Sequence, residues 1–258
     1  IFTLDQQFDN DELRVLALAA RELRGPLAGA MLAARKLSDQ DAAQVLNRSL
    51  YQLLRIIGNM SDASGVSPTF RPENQNVCAV FREIAEKAIQ LSDTTGIHIS
   101  YTGPEEELVC CLDRQLMERA VLNMISNALK FTPAGGTIRL ALRQNGKQFR
   151  FSITDDGCGM SRQEQATLFS RYLREPTIED TRHGIGLGML LIRNTAAQHL
   201  GAVLVDNPQG HGTRVTMTFS SVPTKGKELH TRAMIADYGG EQDHALIELS
   251  EFLPPRFY

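Results

Sequence analysis

Asn123-Met124-Ile125-Ser126-Asn127-Ala128-Leu129-Lys130 is the stretch on which the fold and the chemistry both turn. It lies in a segment, residues 114–130, that is helical by pattern. Asn123, Asn127 and Lys130 fall at i, i+4 and i+7, so all three project from one face. Met117, Val121, Met124, Ile125 and Ala128 sit roughly opposite and can anchor the helix to a sheet. Two amides and an ammonium on one face suit a nucleoside triphosphate. An asparagine carbonyl can be the single protein ligand of a Mg²⁺ that keeps phosphate and water ligands, and a lysine can neutralise phosphate charge. A polar helix face is also common on any solvated surface, so the reading depends on what flanks it.

Downstream, Ile138, Leu140 and Leu142 alternate with polar residues, Asn145-Gly146 marks a tight hairpin, and Phe149, Phe151 and Ile153 alternate again. The second strand runs into Ile153-Thr154-Asp155-Asp156-Gly157-Cys158-Gly159-Met160. Asp155 leaves the strand where glycines permit positive φ and close ligand approach. A carboxylate fixed there can accept a hydrogen bond from an exocyclic amine such as that of adenine; an ordinary Asp-Asp-Gly turn has the same letters. Gly184-Ile185-Gly186-Leu187-Gly188-Met189 precedes a helical stretch over about 186–200. Glycines entering a helix N-terminus leave backbone N–H groups free for phosphate oxygens. The spacing is neither the dinucleotide fingerprint nor the P-loop. Gly210-His211-Gly212-Thr213 opens a final strand through Val215, Met217 and Phe219, and Thr213 could close the pocket. Upstream, a helix covers Val80 to Leu91, and Ile97, Ile99 and Tyr101 alternate as in a half-buried strand. Hairpin strands with helices between them predict an α/β sandwich with a mixed or mostly antiparallel sheet.

The N-terminal part has a different texture. Leu13, Leu16, Ala20, Leu23, Leu27, Ala30, Ala34 and Leu37 recur at steps of three and four. Pro26 should kink this helix. Ser38-Asp39-Gln40-Asp41 reads as a turn with a cap. Leu46, Leu50, Leu53, Ile57 and Met60 then form a heptad seam. A hairpin is too thin to bury two apolar faces, so pairing with a second copy into a four-helix bundle is expected, the alternative being packing on its own downstream domain. The overall expectation is α+β. Residues 1–64 form a dimerisation hairpin, 65–75 (with two prolines) a linker, 76–221 a catalytic domain and 222–258 an extension. In the extension, Met234-Ile-Ala and Ala245-Leu-Ile-Glu-Leu read as two short strands.

Composition narrows the class. The chain has 258 residues, 42% of them hydrophobic, with 27 Lys and Arg against 30 Asp and Glu for a net charge of -3. That is enough apolar content for a core. It leaves no basic footprint for nucleic acid. No apolar run is long enough to span a membrane, so no membrane contact is expected within this chain. Cys78, Cys110, Cys111 and Cys158 lack metal-binding spacing and read as reduced core thiols of an intracellular protein. Beginning at Ile1, without a signal-peptide pattern, the chain reads as an excised, cytoplasmic piece of something longer, such as a membrane-bound sensor.

Taken together and in this order, the motifs resemble those of the sensor histidine kinases of two-component systems, within the Bergerat-fold ATPases. Asn123 to Thr132 is similar to the asparagine box, Asp155-Asp-Gly157-Cys-Gly159 to the first glycine box, and Phe169 to the phenylalanine box of the ATP lid. Gly184-Ile-Gly186-Leu187-Gly188 is similar to the second glycine box, and Gly210-His-Gly212-Thr213 to the closing motif. The resemblance covers about residues 10–221. It implies ATP and Mg²⁺ as ligands, with Asn127 on the metal, Asn123 and Lys130 on phosphates, and Asp155 on adenine. It also implies a lid from about Met160 to His183 and a homodimer that meets a response regulator or phosphotransfer protein. Gyrase-like and chaperone-like relatives carry a Glu four residues before the metal-binding Asn; here that residue is Asn123, which cannot act as a base.

The pattern breaks in the first helix. Where the family has a phosphoaccepting histidine followed by Glu, this chain has Arg21-Glu22-Leu23-Arg24-Gly25-Pro26-Leu27. A guanidinium is always protonated and has no nucleophilic lone pair. All six histidines, from His98 onward, follow the linker. The Thr or Asn position that orients water for dephosphorylation is Gly25. Glu22 could serve catalysis only beside some other acceptor. The expectation is therefore a degenerate histidine kinase that binds ATP and dimerises. The alternatives are an active kinase with its acceptor elsewhere, or another Bergerat-fold ATPase.

Overall fold

The computed structural model describes residues 10–63, 70–161, 163, 165, 187–208, 211–220, 222 and 243–258. The chain divides into two compact units: Ile1–Thr69 with Pro255–Tyr258, and Phe70–Pro254.

The first unit is an antiparallel hairpin of α1 (Asn10–Ala34) and α2 (Gln40–Ala63). Asp39 caps α2, its side chain accepting from Ala42 N at 3.1 Å. Helix α1 runs through Pro26 as one helix, so the expected interruption does not end it. Between the two helices lie Ala20, Leu27, Met31 and Ala34 from α1 and Leu50, Leu54 and Ile57 from α2, all buried. The predicted heptad seam splits. Leu50 and Ile57 point inward, joined by Leu54, whereas Leu46 and Leu53 lie on the surface with Ile56, Leu18, Leu23 and Leu32. Tyr258, after a short 3-10 turn at Pro255–Phe257, stacks edge-on against Tyr51 at 4.8 Å.

The second unit is a two-layer α/β sandwich. Its strands are β2 (His98–Thr102), β4 (Thr137–Asn145), β5 (Gln148–Asp155), β6 (Val203–Asp206) and β7 (Arg214–Ser220), in the order β2-β4-β5-β7-β6. Strand β2 is parallel to β4 and the other pairs are antiparallel, which makes the sheet mixed. Alternation places Ile138, Leu140 and Leu142 in register with Asp155, Ile153 and Phe151, and Phe149, Phe151 and Ile153 with Phe219, Met217 and Val215. These side chains share the inner face. Helices α3 (Val77–Ser92), α4 (Arg114–Phe131) and α5 (Leu187–Gln198) cover that face. Phe81 of α3 stacks on Phe219 at 5.4 Å and meets Phe151 at 4.7 Å, so the core sits between α3 and the central strands.

Two elements and two cysteines depart from the sequence reading. Residues 73–75, expected in the linker, form strand β1 (Glu73–Asn76) together with the first residue of the expected catalytic domain, and it pairs antiparallel with β3 (Val109–Leu112). This two-stranded ribbon leads into α3. The Ala245-Leu-Ile-Glu-Leu run is not a strand but falls in and just after helix α6 (His244–Glu248), whose N-cap Asp243 accepts from Ala245 N at 2.9 Å. Residues 243–254 pack on α4 within the second unit; Met234–Ala236 lies outside the described residues. Finally, Cys78 and Cys110 are core thiols as expected, Cys111 is half-buried, and Cys158 is exposed. Burial pushes the Cys110 thiol up to about 12.

Candidate functional site

Helix α4 is aimed by its first residues. Asp113 caps it by accepting from Leu116 N at 3.2 Å, while its other oxygen accepts from Arg71 N at 2.8 Å. The Asp113 N–H donates to Nε2 of buried His199 at 2.9 Å. His199 Nδ1 lies 2.7 Å from Thr195 O, so the ring donates there and accepts at Nε2. That tautomer is neutral, and burial lowers the His199 pKa, against smaller opposing effects from Thr195 and Asp113. With the folded-state pKa below its unfolded value of about 6.5, the unfolded chain binds the proton more readily. This contribution to stability is complete above about pH 6.5 and is lost as pH falls through that value toward the depressed one. Acidifying from pH 7 to 5.5 should lower the urea midpoint of unfolding, and His199→Gln, which keeps a donor and an acceptor, should flatten that slope.

Further along α4 the asparagines face the start of α5. Asn123 is buried and donates from Nδ2 to Arg119 O at 3.1 Å. Its Oδ1 lies against Gly188, where an added Cβ would come within 2.7 Å; the glycine is needed for this approach. Asn127 is half-buried and donates from Nδ2 to Met189 Sδ at 3.5 Å. Lys130 Nζ lies 3.4 Å from Glu251 Oε1. Leu187 is buried in the first turn of α5. The three polar residues of the helix face are thus on one side of α4, in three different environments. Phe169, Gly184, Gly186 and Gly210, and the lid beyond Gln165, lie outside the described residues.

Asp155 ends β5 in a backbone cradle. Its N–H donates to Thr213 O at 2.9 Å. Its Oδ1 accepts from Gly157 N at 3.0 Å and Thr213 N at 3.1 Å. Burial raises the Asp155 pKa, and those two N–H groups pull it back. Among the described residues nothing donates to Oδ2, which leaves one carboxylate oxygen for a ligand. Two glycines make the cradle possible: a Cβ on Gly157 would sit 2.4 Å from Phe131 O, and one on Gly212, at φ +67°, would sit 2.1 Å from Asp155 O. Gly159 also has positive φ, at +74°.

Two supporting residues were not visible in the sequence. Asp156 reads as half of an Asp-Asp-Gly turn, but its Oδ1 accepts from Thr137 N at 2.8 Å and pins the loop to β4. Asn207, after β6, accepts from Met160 N at 3.2 Å and from Gln165 Nε2 at 3.0 Å, and it donates to Met160 O. It ties the loop after β5 to the β6–β7 connection. No spacing rule announces either contact. Arg21 and Glu22 lie in the other unit, on α1, with Arg21 Nη2 3.3 Å from Glu22 Oε1 and both side chains largely exposed.

Residues 112–223 match the family of histidine kinase-, DNA gyrase B- and HSP90-like ATPases. The chain is 33% identical to histidine protein kinase DivJ of Caulobacter vibrioides, over 79% of this chain and 36% of that one. It is 28% identical to adaptive-response sensory kinase SasA of Prochlorococcus marinus, over 88% of this chain and 61% of that one. It therefore spans only about a third to three fifths of the length of these relatives. Among solved structures, full-length ShkA in complex with AMPPNP superposes with a TM-score of 0.66, at 23% identity, over 82% of this chain and 47% of that one. That likeness concerns the fold: α+β, with N-terminal helices and a mixed sheet of Bergerat type. Among the described residues no helix is long and apolar enough to cross a membrane. On its motifs, its sheet and these relatives, the chain carries a histidine-kinase-like ATPase domain.

Proposed function

We propose that this chain is a histidine-kinase-like signalling module that binds Mg-ATP in its Phe70–Pro254 unit and pairs with a second copy through the α1–α2 hairpin. Position 21 cannot take a phosphoryl group, so the module acts in a two-component or phosphorelay pathway through conformation or partner binding, with a response regulator or phosphotransfer protein as the partner. The observation that carries the nucleotide reading is Asp155. Its Oδ1 accepts from the Gly157 and Thr213 N–H groups, which fix the carboxylate and leave Oδ2 to accept from an amine donor. Adenine presents one; guanine presents a carbonyl at that edge and would meet the carboxylate with an acceptor.

The remaining positions fit around that anchor. Lys130 supplies positive charge for phosphates, and Asn123 lies along the same face of α4. Asn127 commits its Nδ2 to the Met189 sulfur, so its carbonyl oxygen is the atom left for a hard cation. Among the described residues no three His, Cys, Asp or Glu side chains cluster to hold a metal; a Mg²⁺ here would enter with the phosphates, keeping most of its other ligands from them and water. When bound, the ion would neutralise phosphate charge. Leu187 and Gly188 open α5, where unpaired N–H groups favour an anion. No carboxylate occupies position 123, so activation of water by that route is not expected. Exposed Leu18, Leu23, Leu32, Leu46, Leu53 and Ile56 on the hairpin support pairing with a second copy.

Calorimetric titration with Mg-ATP tests the nucleotide site. Wild type should bind. Asp155→Asn should keep the fold, since an amide oxygen can still accept both N–H groups, yet present Nδ2 to the adenine amine, donor against donor. A lost hydrogen bond to a charged group weakens binding by about 10- to 100-fold. No binding by wild type, or equal binding by Asp155→Asn, would remove the site.

A further inference from the structure

Helix α4 carries Arg119, Asn123, Ser126 and Lys130 at i, i+4, i+7 and i+11, a single stripe about 16 Å long. The C-terminal segment 243–254 follows the same helix. His244 Nδ1 lies 3.7 Å from Glu118 Oε2, Glu248 Oε1 lies 3.6 Å from Arg119 Nε, and Glu251 Oε1 lies 3.4 Å from Lys130 Nζ. Asp243 also pairs with Lys87 of α3. Ala245, Ile247, Leu249 and Leu253 are each at most 1% exposed, so apolar burial seats the segment and the acidic residues set its register. The contacts are unequal. Arg119 and Glu248 are buried at 5% and 0% side-chain exposure, whereas Lys130 and Glu251 are at 18% and 39%. The buried pair is an anchor, costly to break. The partly exposed pair is weakly held and exchangeable.

We propose that segment 243–254 is a built-in competitor of the nucleotide, in which Glu251 holds Lys130 until a phosphate takes its place. The inference rests on the reading of Lys130 as a phosphate contact. A carboxylate and a phosphate compete for the same ammonium, so a nucleotide that engages Lys130 must displace Glu251 from it. The anchor at Arg119 stays in place during the exchange, which confines the movement to the residues after α6. The segment then sets the affinity of the site from outside its motifs, and a partner that lifts Glu251 away would raise that affinity.

The test is calorimetric titration of the full chain with Mg-ATP, comparing wild type, Glu251→Gln, Lys130→Gln and the double variant. Glu251→Gln should bind about 2- to 5-fold tighter than wild type, the range expected for releasing one partly exposed ion pair. In the Lys130→Gln background the same change should have no effect. Hydrogen exchange should show faster exchange beside Glu251 on nucleotide addition in wild type while residues 244–249, seated by buried Ala245, Ile247 and Leu249, keep their protection. Glu251 is partly exposed, so its variant should melt within a few degrees of wild type. Equal or weaker binding by Glu251→Gln, with wild type binding normally, overturns the competition and leaves the nucleotide site standing. Failure of both proteins to bind overturns the nucleotide reading, and the competition with it. A tightening that persists in the Lys130→Gln background also overturns it, because the effect would not pass through that lysine.

Discussion

Truncating Glu248 to alanine should cost the Phe70–Pro254 unit about 3–5 kcal/mol, the range for removing one member of a buried ion pair. Glu248 is fully buried, and its carboxylate faces the Arg119 guanidinium, itself at 5% exposure. Without the carboxylate, the buried guanidinium loses the acidic group that faces it 3.6 Å away, while Ala245, Ile247 and Leu249 lose a contact that fixes their register on α4. Pairing both changes with apolar residues of similar volume, Arg119→Met with Glu248→Leu, should restore most of the loss, because neither desolvated charge of the pair then remains. Urea unfolding of the three proteins measures this directly. A Glu248→Ala midpoint within error of wild type would mean that the C-terminal segment does not hold to α4 as described. The neighbouring Glu118 and His244 pair, at 3.7 Å, belongs to the same cluster, so changes there should not add independently to those at Glu248.

Gly212→Ala should cost about 2–5 kcal/mol, combining the left-handed backbone penalty with overpacking of the Asp155 cradle. Gly212 has φ +67°, and its added Cβ would sit 2.1 Å from Asp155 O, a backbone atom that cannot rotate away. The Gly212 N–H also donates to Gly157 O at 3.1 Å, so any shift pulls on both sides of the site. Gly146→Ala is the matched control. It has φ +59° in the β4–β5 hairpin, with nothing within 4 Å of the added carbon, and so carries the conformational cost of about 1–2 kcal/mol alone. The difference between the two variants isolates the contact. Gly212→Ala should also lose Mg-ATP binding at temperatures where it remains folded, because Asp155 moves with the loop. Equal stability losses for the two variants would show that the cradle is not as tight as the distances indicate.

The sheet and its helices were legible because their apolar patterns are long. Residues 137–142 of β4 and 148–155 of β5 alternate on either side of Asn145-Gly146, and the helix over 114–130 shows its period several times. Four-residue elements do not repeat enough to be read. Glu73–Asn76, all polar or charged, looks like linker, and only its pairing with Val109–Leu112 makes it a strand. Ala245-Leu-Ile-Glu-Leu has too few residues to separate a period of 2 from 3.6; the available signal was Asp243, whose side chain caps the helix. The shared face of Asn123, Asn127 and Lys130 follows from the helix period, and the close approaches at Gly157 and Gly212 lie where the glycine spacing allows them. What Lys130 touches could not be read, because Glu251 lies far along the chain and reaches it only through the packing of α6. The hairpin was legible as helices, but the division of Leu46, Leu50 and Leu53 between surface and interior depends on how α1 lies against α2.

Incubation of the full chain with γ-labelled Mg-ATP is the sharpest test of the proposed function, a nucleotide site without a self-phosphorylation target. Arg21 offers a guanidinium beside Glu22, and a guanidinium has no nucleophilic lone pair to attack phosphorus. ATP should bind, and no acid-labile label should appear on the chain, with or without a candidate regulator. Acid-labile phosphate on this chain would contradict it.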